Sequence, residues 1–301
     1  MICVSSHDAG GAEILSSYVR QQGLDCAYAL GGPALKIFER KIGALDSMPL
    51  ADAIHQSDWL LCGTSWQSDL EWQAIEIARA MGKRSVAFLD HWVNYRERFV
   101  RGGETHLPDE IWVGDTLAET MARRIFPEFS IRLIENPYFD DLRRELAQLT
   151  RSSETSAHNL RVLYVCEPLR EHALREYGNE RYWGYTEEDA LRYFLSNLPA
   201  LMSPVERIVI RPHPSEVPGK YDWAKQEFDL PIVRGGAKTL FEEVAECDVV
   251  VGCESMAMVI GLLAERRVIS CIPPGGKLCG LPHPEIEPMQ DFIKSGGSMS
   301  L

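Results

Sequence analysis

At 301 residues, with 45% hydrophobic and 25% charged side chains, the chain is long for one core and suits two domains of about 150 residues each. A formal net charge of -13 excludes general nucleic-acid binding and means that any anionic ligand must be held by local positive groups. No apolar run approaches the roughly 20 residues of a membrane span. Met1-Ile2-Cys3-Val4-Ser5 reads as a strand and not as a signal peptide, so a cytoplasmic protein is expected, at most peripherally attached to the inner face of the membrane. The eight cysteines are scattered without a CxxC pair, and five (3, 62, 166, 253, 271) lie in or beside strand-like runs. They are expected to be buried free thiols, and no metal site is expected.

Ile2 to Ser6 predicts a strand, His7-Asp8-Ala9-Gly10-Gly11 a glycine turn, and the spacing to about Gln22 a helix. The turn is not GxGxxG, so the dinucleotide fingerprint is absent. A second strand covers Leu24 to Leu30, and Gly31-Gly32-Pro33 opens another helix. Trp59 to Ser65 is a third strand, Asp69 to Met81 a helix, and Ser85 to Leu89 a strand that ends in Asp90-His91. Val93 to Pro108 is irregular, rich in Arg and aromatic residues, and long enough to be a functional loop. A strand at Ile111–Gly114, a helix at Thr116–Phe126 and a strand at Ile131–Ile134 follow, and Asn136-Pro137 breaks the pattern. A linker is expected from about 140 to 159, centred on the polar run Arg151 to Ser156.

The alternation then restarts. Val162 to Cys166 is a strand ending at Glu167-Pro168, and a helix covers roughly Glu187 to Leu201. The strand Ile208-Val209-Ile210 leads into Arg211-Pro212-His213-Pro214, with a helix near Tyr221 to Phe228. Ile232-Val233 is a short strand, Thr239–Ala245 a helix, Asp248–Val251 a strand and Met256–Glu265 a helix. Val268–Ile272 is a last strand, closed by Pro273-Pro274-Gly275-Gly276-Lys277; Asp291–Lys294 sits on a final helix, and a Gly/Ser-rich tail starts at Ser295. Two βαβ sets predict an α/β protein of two Rossmann-like, doubly wound domains facing across a cleft, residues 1–145 and 146–301.

Ligands of open α/β sheets bind beyond the carboxyl ends of the strands, which singles out certain residues. Arg211 and His213 suit phosphate oxygens, the Arg as a fork and the His as a donor, and the flanking Pro212 and Pro214 stiffen their loop. Glu254-Ser255-Met256 opens a helix, so Ser255 is a cap and also a candidate phosphate contact. Gly275 and Lys277 bring backbone and a cation after the next strand. Glu167 is a candidate acceptor for a base or ribose. In the first half, Gly10 and Gly11 allow close backbone approach, and His7-Asp8 and Asp90-His91 are the candidates for a general base. Arg96, Arg98 and Arg101 are candidates for an anionic substrate.

The whole chain resembles a GT-B glycosyltransferase. His7-Asp8-Ala9-Gly10-Gly11 is similar to the N-terminal loop of that superfamily, and Glu135-Asn136-Pro137-Tyr138-Phe139-Asp140 to the G-N-P-x-x-D segment before its interdomain linker. His213-Pro214 and Glu254-Ser255 match, in order and position, the HP and serine motifs of bacterial sialyltransferases and related CMP-donor enzymes. CDP-glycerol glycerophosphotransferases share a similar HP motif. The acidic D/E-D/E-G triplet of the CMP-donor enzymes has no counterpart here beyond Asp8-Ala9-Gly10, and no DxD motif is present. The resemblance implies a metal-independent transferase without a cofactor. It would move a sialic-acid-like nonulosonate or Kdo-type sugar from a CMP-linked nucleotide-sugar donor to a hydroxyl of a surface glycan, glycolipid or protein. The rivals are a nucleotide-sugar 2-epimerase or hydrolase on the same fold, a CDP-glycerol-type phosphotransferase, and a nucleotide-sugar-binding module without activity.

Overall fold

The computed structural model describes residues 1–65, 68–149 and 159–296. The chain divides into two compact units, Met1–Asp141 and Leu142–Leu301, where the expected division lay after residue 145.

The first unit begins β1 (Ile2–Ser6), α1 (Ala9–Gln22), β2 (Cys26–Leu30), α2 (Ala34–Ile42), α3 (Leu50–Gln56), β3 (Trp59–Cys62), α4 (Leu70–Ala80) and β4 (Arg84–Leu89). A small antiparallel pair, β5 (Val100–Arg101) and β6 (Glu104–Thr105), precedes β7 (Glu110–Val113), α5 (Thr116–Ile125), β8 (Ser130–Leu133) and α6 (Pro137–Leu149). Six strands form one parallel sheet in the order β2-β1-β3-β4-β7-β8. Val4, Leu60, Leu61, Val86, Ala87 and Phe88 have no exposure, which is what apolar runs covered on two faces require. Each such Leu or Phe contributes about 1.5–3 kcal/mol by leaving water.

The second unit runs β9 (Leu160–Val165), α7 (Leu169–Tyr177), α8 (Glu187–Ser196), β10 (Val205–Arg211), α9 (Trp223–Glu227), β11 (Ile232–Arg234) and α10 (Leu240–Ala245). It continues β12 (Val249–Gly252), α11 (Met256–Leu263), β13 (Arg267–Ser270), β14 (Ile286–Pro288) and α12 (Met289–Gly296). Its parallel sheet has the order β11-β10-β9-β12-β13-β14, the 3-2-1-4-5-6 order of a doubly wound nucleotide-binding sheet. Val162, Phe194, Ile208, Val251 and Ile269 lie in its core. Six of the eight cysteines are buried, Cys26 and Cys279 are half-buried, and all are free thiols.

Several expectations are corrected. The linker expected from 140 begins as helix: α6 starts on Pro137, whose fixed φ and missing N–H suit a first turn, so this proline opens an element where a break was expected. The run Arg151 to Ser156 lies outside the described residues, as does the tail after residue 296. The helix expected to Leu201 ends at Ser196, and a 3-10 turn at Leu198–Leu201 follows because Pro199 cannot donate to a continuing helix. Helix α7 was not anticipated; it buries only Leu169 and Ala173 and so has no apolar stripe to read. Strand β14 is three residues long and ends on a proline, as an edge strand can. Among the described residues no helix is long and apolar enough to cross a membrane.

Candidate functional site

Within each parallel sheet the carboxyl ends of all strands lie on one edge, and the crevice opens where the winding reverses. In the first unit the reversal is between β1 and β3, so the turns after Ser6 and Cys62 flank it. They meet through glycine: a Cβ built on Gly11 would lie 3.4 Å from the Gly63 Cα. His7 follows β1, and its Nδ1 is 2.8 Å from Asp8 Oδ1. A carboxylate at Nδ1 fixes the proton there and leaves Nε2 as the acceptor. The ring lies against Gly31 and Gly32, where a Cβ on Gly32 would come within 2.6 Å of it. Asp8 also stands at the N-terminus of α1, without a cap bond from its side chain.

Asp90 follows β4 and sits over the glycine turn: a Cβ on Gly10 would lie 2.3 Å from Asp90 Oδ2. The Arg98 guanidinium donates to Asp90 Oδ1 at 2.6 Å and to Thr64 Oγ1 at 2.9 Å. His91 Nδ1 accepts the Trp92 N–H at 3.0 Å, and its ring meets the Trp92 ring edge-on. The structure thus gathers His7, Asp8, Gly10, Gly11 and Asp90 on one edge.

The segment Val93–Pro108 is anchored. Tyr95 and Phe99 are buried within it. Arg96 donates to the Ile125 carbonyl, Arg98 to Asp90, and Arg101 to Asp69 and the Ser65 carbonyl. All three arginines expected for an anionic substrate are engaged by the protein itself.

Sequence reasoning missed Glu71, in the first turn of α4. It is 2% exposed, and its Oε1 accepts the His7 N–H at 2.7 Å. Burial pushes this carboxyl up to about 8; the Asp8 and Asp90 carboxylates add to the rise, and the amide bonds oppose it. The signal was present: Glu71, Ala74, Ile75 and Ala78 share the buried face of α4 at helical spacing, with an acid at its head.

In the second unit the reversal is between β9 and β12. Glu167 lies two residues past the end of β9, and its Oε1 accepts the N–H groups of Cys253 and Glu254, each at 2.9 Å. The candidate acceptor for a base or ribose is therefore already engaged, through one oxygen, by amides of the loop after β12. Burial raises the Glu167 carboxyl to about 7, against the lowering effect of those amides. Ser255 is the N-cap of α11, its Oγ accepting from the Ala257 N–H at 3.2 Å, and half-buried Met256 is the first helical residue. Glu254 is held by Lys277 Nζ at 3.2 Å and by the Gly280 N–H at 3.0 Å. Gly275, at φ 87°, turns the loop that carries Lys277, and its carbonyl would meet a Cβ on Gly184 at 2.6 Å.

His213 and Pro214 are exposed after β10. His213 Nδ1 accepts from the Ser215 N–H at 3.2 Å, which leaves Nε2 as the donor. The His213 N–H donates to Glu216 Oε2 at 2.8 Å. Arg211 is less available than expected: its Nη1 binds Glu243 Oε2 at 2.7 Å and the Lys238 carbonyl at 3.0 Å. Tyr185 is buried, and Trp183 packs edge-on against Tyr177 and Tyr182. Among the described residues no cluster of His, Cys, Asp and Glu is arranged to hold a metal.

No family model and no curated protein matches the chain. Solved structures do. UDP-GlcNAc 2-epimerase from Methanocaldococcus jannaschii aligns at 8% identity and a TM-score of 0.60, over 98% of this chain and 91% of that one. The Neisseria meningitidis UDP-GlcNAc 2-epimerase gives 10% identity and a TM-score of 0.60, over 99% and 90%. The glycotransferase of kitacinnamycin gives 13% and 0.52, over 98% and 84%. At such identities the likeness is one of fold: α/β with two Rossmann-like units, the GT-B class that the sequence resemblance implied.

Proposed function

We propose that this protein is a nucleotide-sugar enzyme, a glycosyltransferase that moves a sugar from a nucleotide-activated, CMP-linked donor to a hydroxyl of a glycan, glycolipid or protein. The observation that carries this reading is the 3-2-1-4-5-6 sheet of the second unit, with Glu167, Glu254 and Ser255 at its reversal point. Ligand hydroxyls of a ribose suit Glu167 and Glu254 as acceptors. The phosphate suits the Ser255 hydroxyl and His213, whose Nε2 is left as a donor by the Ser215 amide. A donor fixed there before reaction stabilises the charge that stays on the departing nucleotide. His213 and Ser255 also match the motifs of CMP-donor enzymes, which supports CMP and a sialic-acid-like or Kdo-type sugar.

His7, oriented by Asp8, is the base that takes the acceptor proton. The charges around it also select the acceptor. Asp8 and Asp90 carry two negative charges and Arg98 one positive charge, so a neutral hydroxyl-bearing group suits this edge better than an anion. The first unit therefore takes the acceptor and the second the donor.

A second reading, a nucleotide-sugar 2-epimerase or hydrolase, is supported by the TM-score of 0.60 with two UDP-GlcNAc 2-epimerases. One experiment separates them. The protein is incubated with CMP-N-acetylneuraminate or UDP-GlcNAc, with and without a lactose acceptor, and products are resolved by chromatography. Acceptor-dependent release of CMP supports the transferase. Conversion of either donor without acceptor supports the second reading. Binding of CMP in a thermal-shift assay with no turnover of any donor would leave a binding module.

A further inference from the structure

Behind the His7–Asp8 pair sits Glu71, which the mechanism above does not use. It grips the His7 main chain from the head of α4 through Oε1. The other oxygen, Oε2, is buried and has no hydrogen-bond partner. The titratable groups facing it come from three strands of the sheet. His7 and Asp8 follow β1, Cys62 ends β3, and Asp90 follows β4. The guanidinium of Arg98, which pairs with Asp90, is also bound to Thr64. Gly63 faces the carboxyl from the front, where a Cβ would lie 3.5 Å from Oε1 and equally 3.5 Å from the unpartnered Ser6 hydroxyl.

A buried carboxylate beside two others, with no cation of its own, is more costly to keep charged than to protonate. As an acid it has one oxygen that accepts and one that carries the proton, which matches an accepting Oε1 and a second oxygen left over. We propose that Glu71 is the positioning residue of the His7–Asp8 pair: it holds the His7 main chain with one carboxyl oxygen and a proton on the other, leaving Asp8 and Asp90 as the ionised carboxylates of this edge. The role in catalysis rests on the reading of His7 as the base; the coupling of the two groups does not. Ionising Glu71 would put a third negative charge behind the imidazole, raise its affinity for a proton and thin out the neutral base.

The test follows the His7 ring signals and the Glu71 side-chain carboxyl carbon by NMR between pH 5 and 9, in the wild type and in Glu71→Gln. The amide of Gln keeps an acceptor for the His7 N–H, so the grip remains while the ionisation is removed. In the wild type the His7 signals should show a second step that tracks the Glu71 carboxyl, and in Glu71→Gln that step should vanish. A residue with a packing role alone would not move the ring titration. An identical His7 titration in the two proteins overturns the proposal. So does a Glu71 carboxyl that titrates in the ordinary range of a free glutamate, a result that stands even where the variant fails to fold. Neither readout needs turnover, so failure here is distinct from failure of the transferase reading.

Discussion

Lys220 is the residue on which the loop carrying His213 depends. Its ammonium lies between Glu216, at 3.0 Å, and Glu187, with which it makes a shorter ion pair. The Glu216 side chain has no exposure, Glu187 3% and Lys220 10%. Glu216 further accepts the Tyr221 hydroxyl at 2.5 Å and the His213 N–H at 2.8 Å, and Glu187 accepts the Arg170 N–H at 2.8 Å. Lys220→Met preserves the stem and removes the charge, leaving two buried carboxylates without a cation. Breaking a buried pair in this way costs about 3–5 kcal/mol. An independent bound agrees: protonating a free carboxyl with a pKa near 4.3 at pH 7 costs about 3.7 kcal/mol, and the protein will not tolerate a larger penalty than that for either group. At pH 5 the same step costs only about 1 kcal/mol. Lys220→Met should therefore lose about 4 kcal/mol at pH 7 and markedly less at pH 5. For a unit of this size that is a fall of about 10 °C in its melting temperature. Calorimetry or urea unfolding at the two pH values measures it. A loss below 1 kcal/mol at pH 7, or one independent of pH, would refute the reasoning. Adding Glu216→Gln and Glu187→Gln to the variant should recover most of the loss, because the stranded charges are gone.

Glu71 has a folded pKa of about 8, well above its unfolded value, so the folded state holds the extra proton. Between about pH 5 and 8 stability should thus fall as pH rises, by about 1.4 kcal/mol per unit from this group, and Glu71→Gln should flatten that slope in urea titrations. Asp115 caps α5 through the Ala118 N–H and accepts the Trp92 indole N–H at 2.9 Å. Asp115→Ala should cost about 2 kcal/mol and change Trp fluorescence, and an unaltered unfolding midpoint would count against it. Gly10→Ala places a methyl 2.3 Å from Asp90 Oδ2, the end of a side chain that can swing away. Stability should change by less than about 1 kcal/mol, while displacement of the carboxylate by about 1 Å lowers turnover by up to 100-fold. Equal turnover with wild type would remove Asp90 from the site.

The apolar runs of this chain determined its architecture. Val249-Val250-Val251 or Leu60-Leu61-Cys62 cannot be satisfied except in a sheet covered on two faces, and the glycine turns between such runs and the helices announce two doubly wound units. The same logic singled out His7, Asp90, His213 and Ser255, since each lies within three residues of the carboxyl end of a strand. What the tertiary structure alone decided is which charges meet. Arg211 reads as a phosphate fork until Glu243, 32 residues further on, is seen to bind it. Arg98 reads as a substrate contact until Asp90 does. Glu167 reads as a contact for a base or ribose until its carboxyl is seen to accept the amides of Cys253 and Glu254, 86 and 87 residues away. Hydrophobic periodicity is a local property that the order of residues records. The pairing of a charge depends on distance and burial, and those exist only once the sheets have brought remote loops to one edge.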